Sequence, residues 1–180
     1  MARSSNWNEG LREARKKIKS QPFRVLIWGP QLSPKTPQVQ KRIKIRRDLE
    51  SVVGKENVKF SEDFSNSQDK DPIIKEMQRA GDYAAEQLQI HASDVVIIIA
   101  ESTGSLAETA LYQEEMLGKS IIFTTKRTAP AFAKTLYVIQ NVEYVSPKEW
   151  ESCNKVRQKA REYVEHMRSF KLGKNPLSPR

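Results

Sequence analysis

DVVIIIAESTGSLAETALYQEEMLGK, residues 94–119, is the stretch on which the fold turns. Its apolar run, 95–100, is too short to span a membrane and is rich in β-branched residues, so it reads as a strand buried on both faces. A Thr-Gly-Ser turn follows, and then a helix over 106–117 that Gly118 closes just past its end. Strand, glycine turn and helix in that order set backbone N–H groups and a carboxylate at the mouth of an α/β sheet.

Working outward, FRVLIW (23–28) is a second continuously apolar strand, ended by Gly29 and Pro30. Thr36 as cap and Pro37 at the first helical position open a helix that runs to Gly54. Val39, Leu49 and Val53 share its inner face with Arg42 and Arg46, so at least one arginine is expected to turn toward the sheet or the site. A short strand over 57–61 leads into the acidic pair Glu62 and Asp63 and a polar loop.

Asp71 and Pro72 start another helix, with Ile73, Met77, Ala80, Ala84, Leu88 and His91 in one stripe and His91 placed to cap the last carbonyls. SIIFTT (120–125) is a strand, and a fifth lies within 136–145. The last helix opens on the capping box Ser146-Pro-Lys-Glu149. It carries Trp150, Cys153, Val156, Ala160, Tyr163, Val164 and Met167 at helical spacing.

Five strands separated by helical segments imply a parallel sheet, because parallel neighbours need long right-handed crossovers. The expected architecture is a three-layer flavodoxin-like or Rossmann-like α/β domain with helices on both faces. In the flavodoxin-like order the first and third strands are neighbours where the winding reverses, and ligands bind outside their carboxyl ends. The 180 residues divide into a basic helical extension (1–22), the domain (23–170) and a disordered basic tail (171–180).

The longest apolar run falls far below the ~18 residues of a membrane span, and the N-terminus lacks a signal-like apolar segment, so a cytoplasmic protein is expected. One cysteine, Cys153, excludes an internal disulfide; with only His91 and His166 there is no zinc-ligand spacing, and no cofactor is expected. The net charge of +9 is unevenly spread. Lys and Arg outnumber Asp and Glu by 7 to 2 over 1–24, 8 to 3 over 35–59 and 8 to 2 over 155–180, whereas 60–115 holds 3 against 12. Basic ends around an acidic middle fit either a surface for nucleic acid or a partner protein, or solvated helix faces; basic helices at a homo-oligomer interface are a third reading.

Within 101–108, ESTGSLAE, two readings of the same residues stand side by side. Ser105 and Glu108 form an S-x-x-E capping box that needs no ligand. Equally, Gly104 allows close backbone approach, free N–H groups favour an anion, and Glu108 in the first turn supplies a carboxylate that can attack or stabilise the anomeric carbon of a ribose as an N-glycosidic bond breaks.

Trp28-Gly29-Pro30 at the end of one strand, Asp94 opening another, a Gly turn, Glu108 and the closing Gly118-Lys119 resemble the nucleoside 2-deoxyribosyltransferase-like superfamily, with its TIR-like and SLOG-like relatives. IIAESTGSLAE (98–108) is especially similar to the E-S-x-G-S-x-A-E element of effectors encoded beside retrons and other antiphage systems. Arg42 ahead of Leu49, and Glu62 after the second strand, fit that pattern loosely.

The resemblance implies a Rossmann-like sheet that binds a nucleoside, a nucleotide or an NAD-like molecule, with Glu108 as nucleophile. Gly29, Pro30, Gln31, Arg42, Glu62, Asp63, Ser102, Gly104 and Ser105 are the substrate-binding candidates. Arg42 would meet a phosphate, and Glu62 and Asp63 would accept from ribose hydroxyls. Two positions depart from the transferases: Ser102 stands where they carry a base-recognising acid, and Val25 lies on the strand where they carry an orienting tyrosine. The expected function is an N-glycosidase or deoxyribosyltransferase-like activity at the sugar-base bond, within antiphage defence; the alternative is a nucleotide sensor or scaffold without catalysis.

Overall fold

In a computed structural model, residues 22–29, 32, 37–65, 82–100, 107, 109–125 and 141–171 are described. Five parallel strands, β1 (Val25–Trp28), β2 (Val58–Phe60), β3 (Val95–Ala100), β4 (Ser120–Thr124) and β5 (Val142–Tyr144), form one sheet in the order β2-β1-β3-β4-β5. This is the flavodoxin-like order, with the winding reversing between β1 and β3. β1, β3 and β4 are buried along their whole length, which is why their sequences run apolar instead of alternating.

Helices cover both faces. On one side, α1 (Pro37–Val53) and α6 (Asn154–Lys171) lay Ile45, Leu49, Val53, Val156, Ala160 and Val164 over Val25, Ile27, Ile97, Ile99, Ile121 and Phe123. On the other, α3 (Asp82–His91), the helical residues 109–111 and α4 (Gln113–Met116) bring Ile90, Tyr112 and Met116 onto Leu26, Trp28, Val96, Ile98 and Ile122. A 3₁₀ turn (Lys55–Asn57) precedes β2, and the short helices α2 (Ser61–Ser65) and α5 (Pro147–Ser152) complete the described elements. Among the described residues no helix is long and apolar enough to cross a membrane.

The structure departs from the sequence reading at three places. Glu62 and Asp63 do not open a loop; they occupy the first turn of α2, where carboxylates suit the helix dipole and Asp63 accepts from the Phe60 N–H at 3.0 Å. The α3 stripe is rotated, with Gln89 and Ile90 buried and His91 exposed. Lys119 takes the capping role expected of His91, its ammonium donating to the carbonyls of Ile90 at 2.7 Å and Ser93 at 3.4 Å. Burial pushes the Lys119 ammonium below its ordinary value, against the opposing pull of Asp94 and Glu115.

The third departure divides the last helix. The capping box forms as read, Glu149 N–H donating to Ser146 Oγ at 3.3 Å and Ser146 N–H to Glu149 Oε2 at 2.9 Å. The chain then turns through a left-handed residue, Cys153 at φ 60°, and restarts as α6. Cys153 is buried, and burial raises its thiol despite the nearby charges of Lys41, Arg157 and Lys44. The native protein should therefore be nearly inert to a thiol-disulfide reagent and react fully in concentrated guanidinium; rapid native labelling would contradict this burial. The 1–22 extension up to residue 21, the 71–81 part of the Asp71 helix, the 171–180 tail beyond Lys171 and the segment 126–140 lie outside the described residues.

Candidate functional site

The carboxyl ends of β1 and β3 emerge side by side, and Gly29 sets how closely. A Cβ at Gly29 would lie 2.9 Å from Ile99 Cβ and 3.0 Å from the Ile99 carbonyl oxygen on the neighbouring strand. Both contacts are with parts of β3 that cannot swing aside, so only glycine lets the chain leaving β1 pass this close to β3. Gly29→Ala should destabilise the fold by about 1–3 kcal/mol in urea unfolding, and an unchanged midpoint would show that β3 yields at this point.

Behind Gly29 stands Arg42, a fully buried arginine. Its guanidinium grips Glu62 through two parallel bonds, Nη1 to Oε1 at 2.8 Å and Nη2 to Oε2 at 2.9 Å. It also donates to the carbonyls of Ile27 at 3.1 Å and Gly29 at 3.3 Å. Glu62 Oε1 accepts a further bond from the Leu32 N–H at 3.2 Å. One ion pair thus joins α1, the end of β1, the chain after it and α2, using the planar fork that lysine lacks.

Burial pushes the Glu62 carboxyl up. The hydrogen bonds and charge of Arg42, together with bonds from its own backbone N–H and the Ser61 hydroxyl, outweigh that and hold it below the ordinary carboxylate range. Arg46 adds an outer layer, bonding Asp63 Oδ2 and Glu50 Oε1, each at 2.9 Å. The guanidiniums of Arg42 and Arg46 lie 4.8 and 4.7 Å from the Phe60 ring centroid, so the aromatic end of β2 supports both cations.

The structure therefore brings together Gly29, Arg42, Glu62 and Asp63 among the sequence candidates. Their groups are turned on one another, an arrangement suited to positioning the loop after β1 more than to meeting a phosphate or ribose directly. Pro30, Gln31, Ser102, Gly104, Ser105 and Glu108 lie outside the described residues. The described residues just after Glu108 are packed: Thr109 and Tyr112 are buried, and Tyr112 sets its ring 5.4 Å from Trp28 while its hydroxyl donates to Glu86 Oε2 at 2.5 Å. Residues 109–112 are thus seated against the β1 side of the reversal point. The sequence reading missed two residues at the carboxyl edge, Thr124 and Tyr144; the only sequence signal was a hydroxyl residue following the apolar run Ile121–Phe123 of β4.

Among the described residues, the cations of α6 are largely engaged within the fold. On α6, Arg157 makes a two-pronged bond to Asp48 at 2.6 and 2.8 Å, Arg161 pairs with Glu165 at 2.8 Å, Lys155 with Glu149 at 2.6 Å, Lys159 with Glu143 at 3.6 Å, and Lys171 with Asp94 at 2.5 Å. No protein family, no curated protein and no solved structure matches the chain.

Proposed function

We infer that the domain binds a nucleoside or nucleotide at the carboxyl edge of its sheet and acts at the sugar-base bond, with Glu108 as the carboxylate that attacks or stabilises the anomeric carbon. The observation that carries this reading is the reversal of strand order between β1 and β3, where Gly29 and the chain after Ala100 leave the sheet together. It adds to the E-S-x-G-S-x-A-E resemblance, under which the enzyme would serve as an antiphage effector. In this reading the Arg42–Glu62 pair fixes the loop that carries Pro30 and Gln31, while Gly104 and Ser105 give the phosphate or sugar its backbone donors.

The test is chromatography of released base from a panel of nucleosides, nucleotides and NAD. Wild type should release base and Glu108→Gln should not; equal turnover by both removes the catalytic claim. A second reading, binding without turnover, is favoured by Ser102 and Val25 standing where the transferases carry functional side chains. Calorimetric binding with no base release would select it. A nucleic-acid role draws less support, because so many α6 cations already have carboxylate partners.

A further inference from the structure

The last row of side chains on the α3–α4 face of the sheet is Ala100, Thr124 and Tyr144. Their register follows from the strand pairing, in which Ala100 faces Thr124 and Thr124 faces Tyr144. Alternation puts all three on the face where Ile98, Ile122 and Val142 pack. Neighbouring strands are about 4.8 Å apart, so the row is a ledge about 10 Å long at the carboxyl edge, one strand away from the reversal point.

Each member is unusual for its place. Thr124 is wholly buried, yet its hydroxyl has no hydrogen-bond partner among the described residues. The other strand hydroxyl on the same face, Ser120 Oγ, donates to the Met116 carbonyl at 2.9 Å, and buried Ser93 Oγ donates to Gln89 at 2.7 Å. A buried hydroxyl left unpartnered weakens the fold, and valine would fill the same space without that loss. Tyr144 is 47% exposed on an edge strand, an aromatic face open to solvent beside that hydroxyl. Ala100, between them and β1, adds the least bulk a side chain can.

We propose that this row is the base-recognition ledge of the candidate site: the Tyr144 ring stacks on the heterocycle of a nucleoside, and the Thr124 hydroxyl hydrogen-bonds its polar edge. Stacking tolerates any planar base, whereas a hydroxyl, both donor and acceptor, can read either kind of edge. This assignment rests on the nucleoside-binding reading and supplies the base contact that Ser102 does not offer as a carboxylate.

The experiment is calorimetry of the full chain with adenosine, guanosine, cytidine, thymidine, their 5′-monophosphates and ribose 5-phosphate, alongside thermal melts without ligand. Thr124→Val should weaken binding of the preferred nucleoside about tenfold, equivalent to about 1.4 kcal/mol, while its ligand-free melting temperature stays level or rises. Thr124→Ser should retain affinity. Tyr144→Leu should also lose about tenfold with little change in melting, and neither variant should alter binding of ribose 5-phosphate, which has no base. Undiminished nucleoside affinity in Thr124→Val and Tyr144→Leu overturns the ledge and leaves nucleoside binding standing. A lowered melting temperature in ligand-free Thr124→Val overturns it too, because the hydroxyl would then serve the fold. Wild type that binds none of the panel overturns the nucleoside reading itself.

Discussion

Arg42→Met is expected to cost about 3–5 kcal/mol of unfolding free energy, seen as a lower urea midpoint at unchanged slope. The substitution keeps a buried apolar stem but removes the guanidinium over Phe60 and strips donors from the Glu62 carboxylate and from the carbonyls of Ile27 and Gly29. Water can reach Glu62, whose side chain is 26% exposed, so the loss should fall toward the lower end of that range. Arg42→Met combined with Glu62→Leu should recover part of it, because the double variant buries no lone charge. A single-variant loss under about 1 kcal/mol would mean that the pair contributes no more than a surface bridge.

Acid should expose the same interaction. Glu62 titrates below the ordinary carboxylate value of 4.5 in the folded protein, so its contribution is complete above that value and is lost as pH falls through the lowered one. Wild type should therefore lose more stability on acidification than the Arg42→Met/Glu62→Leu double variant does. Parallel pH profiles would dissociate the pair from acid sensitivity.

Base release should fall by about 10²–10⁴-fold in Glu108→Gln, the range typical of removing a charged or proton-transferring group from a transition state. The amide keeps the size of the side chain and can still accept a hydrogen bond from a capped backbone N–H. A capping role alone would thus be largely preserved, while a nucleophile or a cation-stabilising charge would be lost. Melting temperature separates the two: a large loss of turnover with little change in melting supports chemistry, and the opposite pattern supports a cap. The residual rate should also discriminate, since an ionised carboxylate predicts wild-type turnover that falls in acid, and the glutamine variant should lack that limb.

The layers and the parallel sheet could be read from the sequence because they rest on one-dimensional patterns, whereas the choice between the flavodoxin-like and Rossmann-like strand orders could not. Unbroken apolar runs such as VVIIIA read as strands covered on both sides, and five strand segments separated by helical ones leave few arrangements. Ser146 and Glu149 were legible for a related reason, as a cap is made by residues three apart. Arg42 was half legible. Its place on the inner face followed from helical spacing, but its partner, twenty residues away on α2, is set by tertiary contact. The Cys153 break was hidden because apolar spacing continues across it, so periodicity cannot register a single left-handed residue. Lys119 supplanting His91 as the α3 cap, and Thr124 and Tyr144 meeting across a strand pair, depend on register between distant segments and leave no local trace.

The closing turn of α6 has a consequence for how the chain can be joined to others. Lys171 bonds Asp94 at the start of β3 and sits 5.7 Å from the Phe23 ring ahead of β1, while Asp94 accepts from the Arg24 N–H at 2.8 Å. The first and last described turns therefore meet at the amino edge of the sheet, across the full strand length from the proposed site. A polypeptide spliced into a host loop at these two points would enter and leave through one narrow gap, with its carboxyl edge facing outward. The domain has the geometry of a cassette, suited to circular permutation or to insertion between other modules without stretching either neighbour.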